Sequence, residues 1–379
     1  MTEQLSSEEE AVVDQINRFS SEILAPHAAE LDATGAFATL HLPALAELGV
    51  MGMNLPETYG GIGLSGPALY HAVEAIAGAC GSTASMLTAH FLATDSILLG
   101  ATEALKQRVL PDAATGTSLG AFALTEPEAG SNPADLKTYA VREGDGYRIK
   151  GAKCFISNAG AAGFIVVYAK TDRDAGARGV SAFVVELKTT SGVSIGTRED
   201  TMGLRGGHVF PISLECWVPE TNRLGEEGTG FRTAMKVLDN GRIEVAAQAT
   251  GIAKAAQAAA IAYAKERQVG GQAIGSFQGL QWMLADSATE LAAARALGLQ
   301  AAALRGTGQR YSSESAFAKL YASEAAWRIA DRALQIHGGY GYTKDFPLER
   351  YLRDLRIFRI YEGSSEIQRT IIARELLRD

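Results

Sequence analysis

A three-part α+β chain, helical at both ends and sheet-forming in the middle, is what this sequence predicts. Two periodicities and one change of composition predict it. From about Ser6 to Gly116 apolar residues recur at helical spacing, as in Val12, Val13, Ile16, Phe19 and Ile23, and again in Leu42, Leu45 and Leu48. From about Leu119 to Asn222 the pattern shortens into β-rich runs, Tyr147 to Ile149, Phe164 to Tyr168, Val180 to Val185 and Ile212 to Trp217, divided by Gly and Asp turns. From about Gly228 long alanine-rich helical stretches return: Arg242 to Arg267, Gln278 to Arg305 and Ser313 to His337. The expected domains are residues 1–118, 119–227 and 228–379. Neither junction carries a flexible tether, so the three parts are expected to pack as one unit.

Composition excludes several classes. With 379 residues, 47% hydrophobic and 21% charged, the chain is an ordinary globular length and mixture for two or three cores. A net charge of −8 argues against a broad phosphate-binding face, so nucleic acid is not an expected partner. Cys80, Cys154 and Cys216 lie far apart with no C-x-x-C pattern, and the acidic start MTEQLSSEEE is unlike a secretory or mitochondrial presequence. A reduced, cytoplasmic setting without metal is the expectation. The run AAQATGIAKAAQAAAIAYA is broken by Gln248, Lys254 and Gln257, which favours a close-packed bundle helix over a membrane span.

The most informative segment is IYEGSSEIQR, Ile360 to Arg369, which sets Glu362 directly before a Gly-Ser-Ser turn opening the final helix. A helix start offers free amides and a positive dipole end, while a carboxylate just upstream can turn into a cavity. Three more segments accompany it: FALTEPEAGSNPADLKT (Phe122 to Thr138), IKGAKCFISNAG (Ile149 to Gly160) and QIHGGYGYTKDFPLER (Gln335 to Arg350). Together, in their order along the chain and over nearly its whole length, they resemble the acyl-CoA dehydrogenase family. The resemblance implies an N-terminal helical domain, a middle β-sheet or barrel domain and a C-terminal four-helix bundle. It also implies FAD and α,β-desaturation of an acyl thioester.

Such chemistry needs a base, a polarising site for the thioester carbonyl and an acceptor for the β hydride. No ordinary side chain accepts hydride; a flavin does, at N5. Glu362 is the expected base, its carboxylate desolvated and made more basic by substrate. The resemblance implies that its backbone amide, with a ribityl hydroxyl, holds the thioester oxygen. Some branches of the family place the base in the segment matching Leu238 to Arg242, where this chain has Gly241. Glu244 lies three residues on, through most of a helical turn, and is expected to be a packed or salt-bridged helix residue.

For the flavin half of FAD the resemblance implies Phe122, Leu124, Thr125, Gly130, Ser131, Phe155 and Ser157, with Thr125 at the ring and Ser131 near the pyrophosphate. The family usually has tryptophan and threonine where this chain has Phe155 and Ser157; the aromatic face and the hydroxyl are both retained. For the nucleotide half it implies Arg267, Phe277 and Gln278 from a neighbouring subunit, together with Gln335, Gly338, Gly339, Ser364 and Glu366. Arginine suits phosphate through its forked donors. Gly270-Gly271 replaces the family's usual Phe-Gly and removes an aromatic partner there. His337 is expected to be structural.

Ser131, Asp239, Arg242, Tyr361 and Gly363 match substrate positions, the pair Asp239 and Arg242 falling on one helical face where pantetheine would run. No arginine occurs between Arg18 and Arg108, so the first helical block brings no guanidinium to a dicarboxylyl substrate, and an uncharged acyl chain is expected. Met86, Leu87, His90, Phe91 and Asp95 are candidates for a pocket floor. The expected partners are an acyl-CoA, an electron-transfer flavoprotein and further copies of the chain as a dimer of dimers. Rival readings are an acyl-carrier-protein dehydrogenase or oxidase and a flavin-dependent monooxygenase; the second has no need of Glu362. A non-enzymatic binding protein is the bland alternative.

Overall fold

Helix formation starts where the sequence supplies a cap: Ser6 and Glu9 form a reciprocal capping box that opens α1, Ser7–Phe19. This is a computed structural model describing residues 5–378; Met1–Gln4, the start of the acidic N-terminal stretch, and Asp379 lie outside the described residues. A short π-helical segment, Ser20–Leu24, carries α1 into α2, Ala25–Thr34, which Gly35 closes in a left-handed conformation. Then follow α3 (Leu42–Glu47), α4 (Gly66–Ala79), α5 (Gly81–Gly100) and α6 (Glu103–Ala114). Every residue of α5 from Gly81 to Ile97 is buried. Because it is covered on all sides, periodicity cannot tell which of its faces looks into a cavity.

The middle segment forms one eight-stranded sheet: β1 (Gly120–Ala123), β2 (Tyr139–Glu143), β3 (Gly146–Ser157), β4 (Phe164–Lys170), β5 (Val180–Glu186), β6 (Val193–Ile195), β7 (Val209–Pro219) and β8 (Arg223–Leu224). Its order is β6-β7-β3-β2-β4-β5-β8, with β1 added parallel to β4. The long antiparallel β3–β7 ladder slips between Lys153 and Ile156, and inside that bulge Phe155 adopts φ +57. One sheet face packs on α5 and α6 through Phe164, Val166 and Tyr168; the other buries Ile149, Ile165 and Val167 in a core of its own.

The C-terminal helices are α7 (Gly230–Glu266), α8 (Gln278–Leu304), α9 (Ser312–His337), α10 (Leu348–Arg356) and α11 (Ser365–Leu376). A two-stranded hairpin, Gln268–Val269 against Gln272–Ala273, turns on Gly270 and Gly271, both with positive φ. The alanine-rich run lies inside α7, and Val245 to Ala253 are all buried. α4 and α7 approach so closely that a β-carbon at Gly78 would lie 3.0 Å from the Gly251 carbonyl oxygen. No helix among the described residues is long and apolar enough to cross a membrane. The first and third segments share one core, from Ile16 and Leu87 through Ile243 to Phe358, so the two helical parts are separate along the chain and merged in space.

Candidate active site

A cleft of about 1600 Å³ runs between α5, α7, the middle sheet and the loop before α11. That loop is strained. Glu362 sits at φ +51 and Gly363 at φ +88, a left-handed pair that glycine tolerates and glutamate does not favour. Ser364 accepts from the Ile367 amide at 3.4 Å and so caps α11. Gln368, one turn into that helix, reaches back to donate to the carbonyls of Glu362 (3.1 Å) and Gly363 (2.8 Å). Lys319 on α9, fully buried, also donates to the Gly363 carbonyl at 2.7 Å.

Held this way, Glu362 turns its carboxylate toward α7, where Gly241 makes room. A β-carbon at position 241 would overlap Glu362 Oε2 and stand 3.1 Å from its Cδ and 2.8 Å from Leu92 Cδ2. Glu362 Oε2 is buried and has no hydrogen-bond partner. Burial pushes this carboxyl up to about 7, against the lowering pull of Lys319 and Arg242. A buried, underbonded carboxylate that titrates near neutrality, at a cleft wall, suits a general base.

Glu244 is not part of that wall. It is buried, accepts from Arg305 Nη1 at 2.9 Å, and belongs to a polar cluster in which Arg305 also reaches Asp95 at 3.0 Å. Asn54 and Asn240 donate to the two oxygens of Asp95 at 2.7 and 2.6 Å. Arg305, from the end of α8, is one of the guanidinium groups on the cleft lining, beside Arg232, Arg242, Arg310 and Arg374, none of which comes from the first helical block. Asp95 and Glu244 both hydrogen-bond it, and burial pushes the Glu244 carboxyl up to about 8, so Asp95 is the ionised partner of Arg305 at neutral pH.

The expected pocket floor needs correction. Met86, Leu87, His90 and Phe91 are buried away from the cleft; the lining face of α5 is Ser85, Thr88, Ala89, Leu92 and Asp95. Leu98 and Leu99, nearer the end of α5, line it as well, and of the expected set only Asp95 does. His90 instead accepts from the Gly120 amide at 2.9 Å and ties α5 to β1. Beside Thr88, between α5 and α7, stands Gln248, fully buried, which donates to Thr88 Oγ1 at 3.1 Å and lies beside the Tyr361 hydroxyl.

On the opposite wall the cleft is lined by Phe122, Leu124, Thr125, Gly130, Ser131, Phe155 and Ser157. Phe155 is 66% exposed, an unusual setting for a phenylalanine in a left-handed bulge. Its ring and the neighbouring hydroxyls match a flat ring system with polar edges, and the residues present therefore fit a flavin. A buried ion pair supports this wall: Lys153 Nζ bonds Glu126 at 2.8 Å and the Leu124 carbonyl at 3.1 Å, and the Cys154 amide bonds the Thr125 carbonyl at 3.0 Å. Both partners lie within the signature segments, Glu126 in FALTEPEAGSNPADLKT and Lys153 in IKGAKCFISNAG, where other charged residues keep the pair from standing out.

Asp239, Arg242, Tyr361 and Gly363 also line the cleft; Asp239 and Arg242 form an ion pair, and Ser312 donates to Asp239 at 2.6 Å. The remaining residues lie elsewhere. Arg267, Gln278, Gln335, Gly338 and Gly339 are exposed near the far end of the bundle, where the Arg267 guanidinium lies 5.8 Å from the Tyr340 ring centre. Phe277 packs into the helical core, and Ser364 and Glu366 fall outside the cleft lining, Glu366 exposed in the first turn of α11. His337 is structural, stacked on Tyr263 at 4.3 Å with Nδ1 2.7 Å from the Ala333 carbonyl oxygen.

Models of the acyl-CoA dehydrogenase N-terminal, middle and C-terminal domains match residues 6–117, 121–215 and 228–377. The chain belongs to the acyl-CoA dehydrogenase family. It is an oxidoreductase of a family that uses FAD. It is 42% identical to the short-chain-specific acyl-CoA dehydrogenase of Clostridium acetobutylicum over 99% of both chains. Its fold is similar to that of butyryl-CoA dehydrogenase from Megasphaera elsdenii, with a TM-score of 0.97 at 38% identity over the full length of both. A chain in a structure described as the electron transferring flavoprotein of Acidaminococcus fermentans gives a TM-score of 0.97 at 42% identity, again over both full lengths.

Proposed function

We propose that this acyl-CoA dehydrogenase desaturates a short, uncharged acyl-CoA between the α and β carbons, with Glu362 removing the α proton. The observation that carries the reading is the Glu362 carboxylate, buried and unpartnered at the cleft wall in the space that Gly241 leaves. Bound FAD supplies the two-electron acceptor that departure of the β hydride requires. Glu362 receives the α proton on a carboxylate oxygen, the Cα–H electron pair becomes the new C=C bond, and the hydride leaves from Cβ. The free Glu362 amide of the left-handed turn is the candidate donor to the thioester oxygen. Desolvation by substrate raises the basicity of the carboxylate when it is needed.

Support for a short chain comes from Gln248, whose side chain, buried between α5 and α7, bonds the cleft-lining Thr88 and takes up room beside it. The resemblance to short-chain and butyryl enzymes points the same way. Phe122, Leu124, Thr125, Gly130, Ser131, Phe155 and Ser157 would hold the flavin half of FAD. Arg267, Phe277, Gln278, Gln335, Gly338, Gly339, Ser364 and Glu366 would serve the nucleotide half across a subunit contact, in a dimer of dimers. Ser131, Asp239, Arg242, Tyr361 and Gly363 would seat the thioester and pantetheine. Electrons would pass to an electron-transfer flavoprotein, in the cytoplasm, as a step of fatty acid metabolism.

Anaerobic bleaching of the purified yellow protein by acyl-CoA thioesters of increasing length, alongside the matching acyl-carrier-protein thioesters, tests this. Rapid bleaching by four-carbon acyl-CoA and slow bleaching by long chains is expected. Preference for the carrier-protein forms, or bleaching by none, would overturn the assignment.

A further inference from the structure

Lys319 is a lysine with no exposed surface, set on α9 behind the catalytic loop. Burying an ammonium is expensive unless it is paired or hydrogen-bonded. Its ammonium donates to the carbonyl of Gly363 at 2.7 Å, and the charge that most favours its protonation is the Glu362 carboxylate. Gln368 holds the same carbonyl from the other side, so the left-handed turn that aims Glu362 at Gly241 is clamped by two side chains. Helix α11 could start without Lys319, since Ser364 caps it and Ser365 bonds Glu324 at 2.7 Å. Capping of α11 therefore does not account for the buried charge.

We propose that Lys319 is a positioning residue for Glu362: its ammonium ties down the Gly363 carbonyl and supplies the buried positive charge that steadies the ionised carboxylate. This rests on the reading of Glu362 as base. The groups facing the carboxylate are Lys319 from α9, Arg242 and Glu244 from α7, and Tyr361 from its own loop. Those facing Lys319 are Glu362, Arg242, Glu324 and Glu366. Arg242 is already ion-paired with Asp239, whereas Lys319 makes no ion pair within 4.0 Å among the described residues, and the carboxylate that most favours its charge is Glu362. Burial holds the Lys319 ammonium down at about 8, so the clamp is charged at neutral pH and weakens above it.

The test uses the FAD-loaded enzyme. Lys319→Met keeps length and apolar volume while removing charge and donor. It is expected to slow flavin reduction at pH 7 by about 10- to 100-fold and to move the rising limb of the pH profile upward by about one unit or more. Substrate binding, followed by difference spectroscopy with a non-reducible acyl-CoA analogue, should change far less. Should Lys319→Met fold poorly, Lys319→Ala with added methylamine takes its place, and amine-dependent recovery of the reduction rate is expected. An unshifted pH limb, or a loss in Lys319→Ala that amines do not restore, overturns the positioning role. Glu362→Gln measured beside them separates the two ideas: if it reduces flavin normally, the base itself is wrongly assigned.

Discussion

The Glu362 carboxylate occupies the space in which a side chain at residue 241 would have to begin: a β-carbon there would overlap Oε2 and approach Leu92 Cδ2 to 2.8 Å. Here the two places compete for one volume, and glycine at one is the condition for glutamate at the other.

Gly241→Ala should therefore separate activity from stability. The clashing atoms are the ends of flexible side chains, so the helix tolerates the methyl, and alanine improves helix propensity by about 1 kcal/mol. The displaced carboxylate is expected to lower the flavin reduction rate by at least about 10-fold. Stopped-flow reduction and a melting curve decide it; equal loss in both would mean that the methyl disrupts packing generally.

Glu362→Gln should cut anaerobic flavin reduction by about 10² to 10⁴ while FAD stays bound. It carries a pH signature in stability as well. Glu362 is raised to about 7 from an ordinary value of 4.5, so between those values the folded state holds a proton that the unfolded chain has lost. Its contribution to stability consequently falls as pH rises from 4.5 through 7, and the ionised form is a net burden above 7. Removing the charge should raise the melting temperature at pH 8 relative to wild type and change it little at pH 4. A mutant no more stable than wild type at pH 8 would speak against the buried, unpartnered carboxylate.

Arg305→Ala should destabilise the protein by about 3–5 kcal/mol, because Asp95 and Glu244 would be left buried without their cation. Glu244→Gln should act mainly on stability, with flavin reduction within about 10-fold of normal. Denaturant titrations and single-turnover reduction of both variants provide the comparison. A greater loss of reduction in Glu244→Gln than in Glu362→Gln would exchange their roles.

Phe155→Gly should relieve the left-handed strain, worth about 1–2 kcal/mol, and stabilise the apoprotein while weakening FAD retention. Urea unfolding of the apoprotein and fluorescence titration with FAD measure the two effects. Unchanged FAD affinity would show that the ring is not a cofactor contact.

Arg267→Ala should weaken both FAD retention and assembly under the proposed reading that its guanidinium, exposed at the bundle end and away from the cleft, serves FAD across a subunit contact. Light scattering across a dilution series, with flavin content measured in the same samples, reads both. A monomer that keeps its FAD at nanomolar concentration would contradict the shared site.

Much of the fold is legible in local pattern. The β-rich runs begin or end within a few residues of β3, β4, β5 and β7, and the predicted stretch Gln278 to Arg305 matches α8 to one residue, because period and turn chemistry are local properties of the chain. IYEGSSEIQR, with its Ser-capped helix start, and the strand-to-loop hydroxyls at Thr125 and Ser131 are likewise readable as short motifs. The face of α5 is not: buried all round, it has no polar stripe to mark the cleft, and pattern points to Met86 and Phe91 where the floor is Thr88 and Leu92. Nor is Arg305, about 210 residues from the Asp95 it bonds, or Lys319, whose chain neighbours Ala318 and Leu320 give no sign of a carbonyl 44 positions away. The sequence by itself determined which segments coil, which extend and where the signature residues fall. Only the tertiary structure decided that the first and last segments share a core, that Gly241 yields its space to Glu362 and that a buried ammonium stands behind it. Buried charges and cavity walls are built by elements far apart in the chain, and desolvation and Coulomb energy depend on distances that local pattern does not encode.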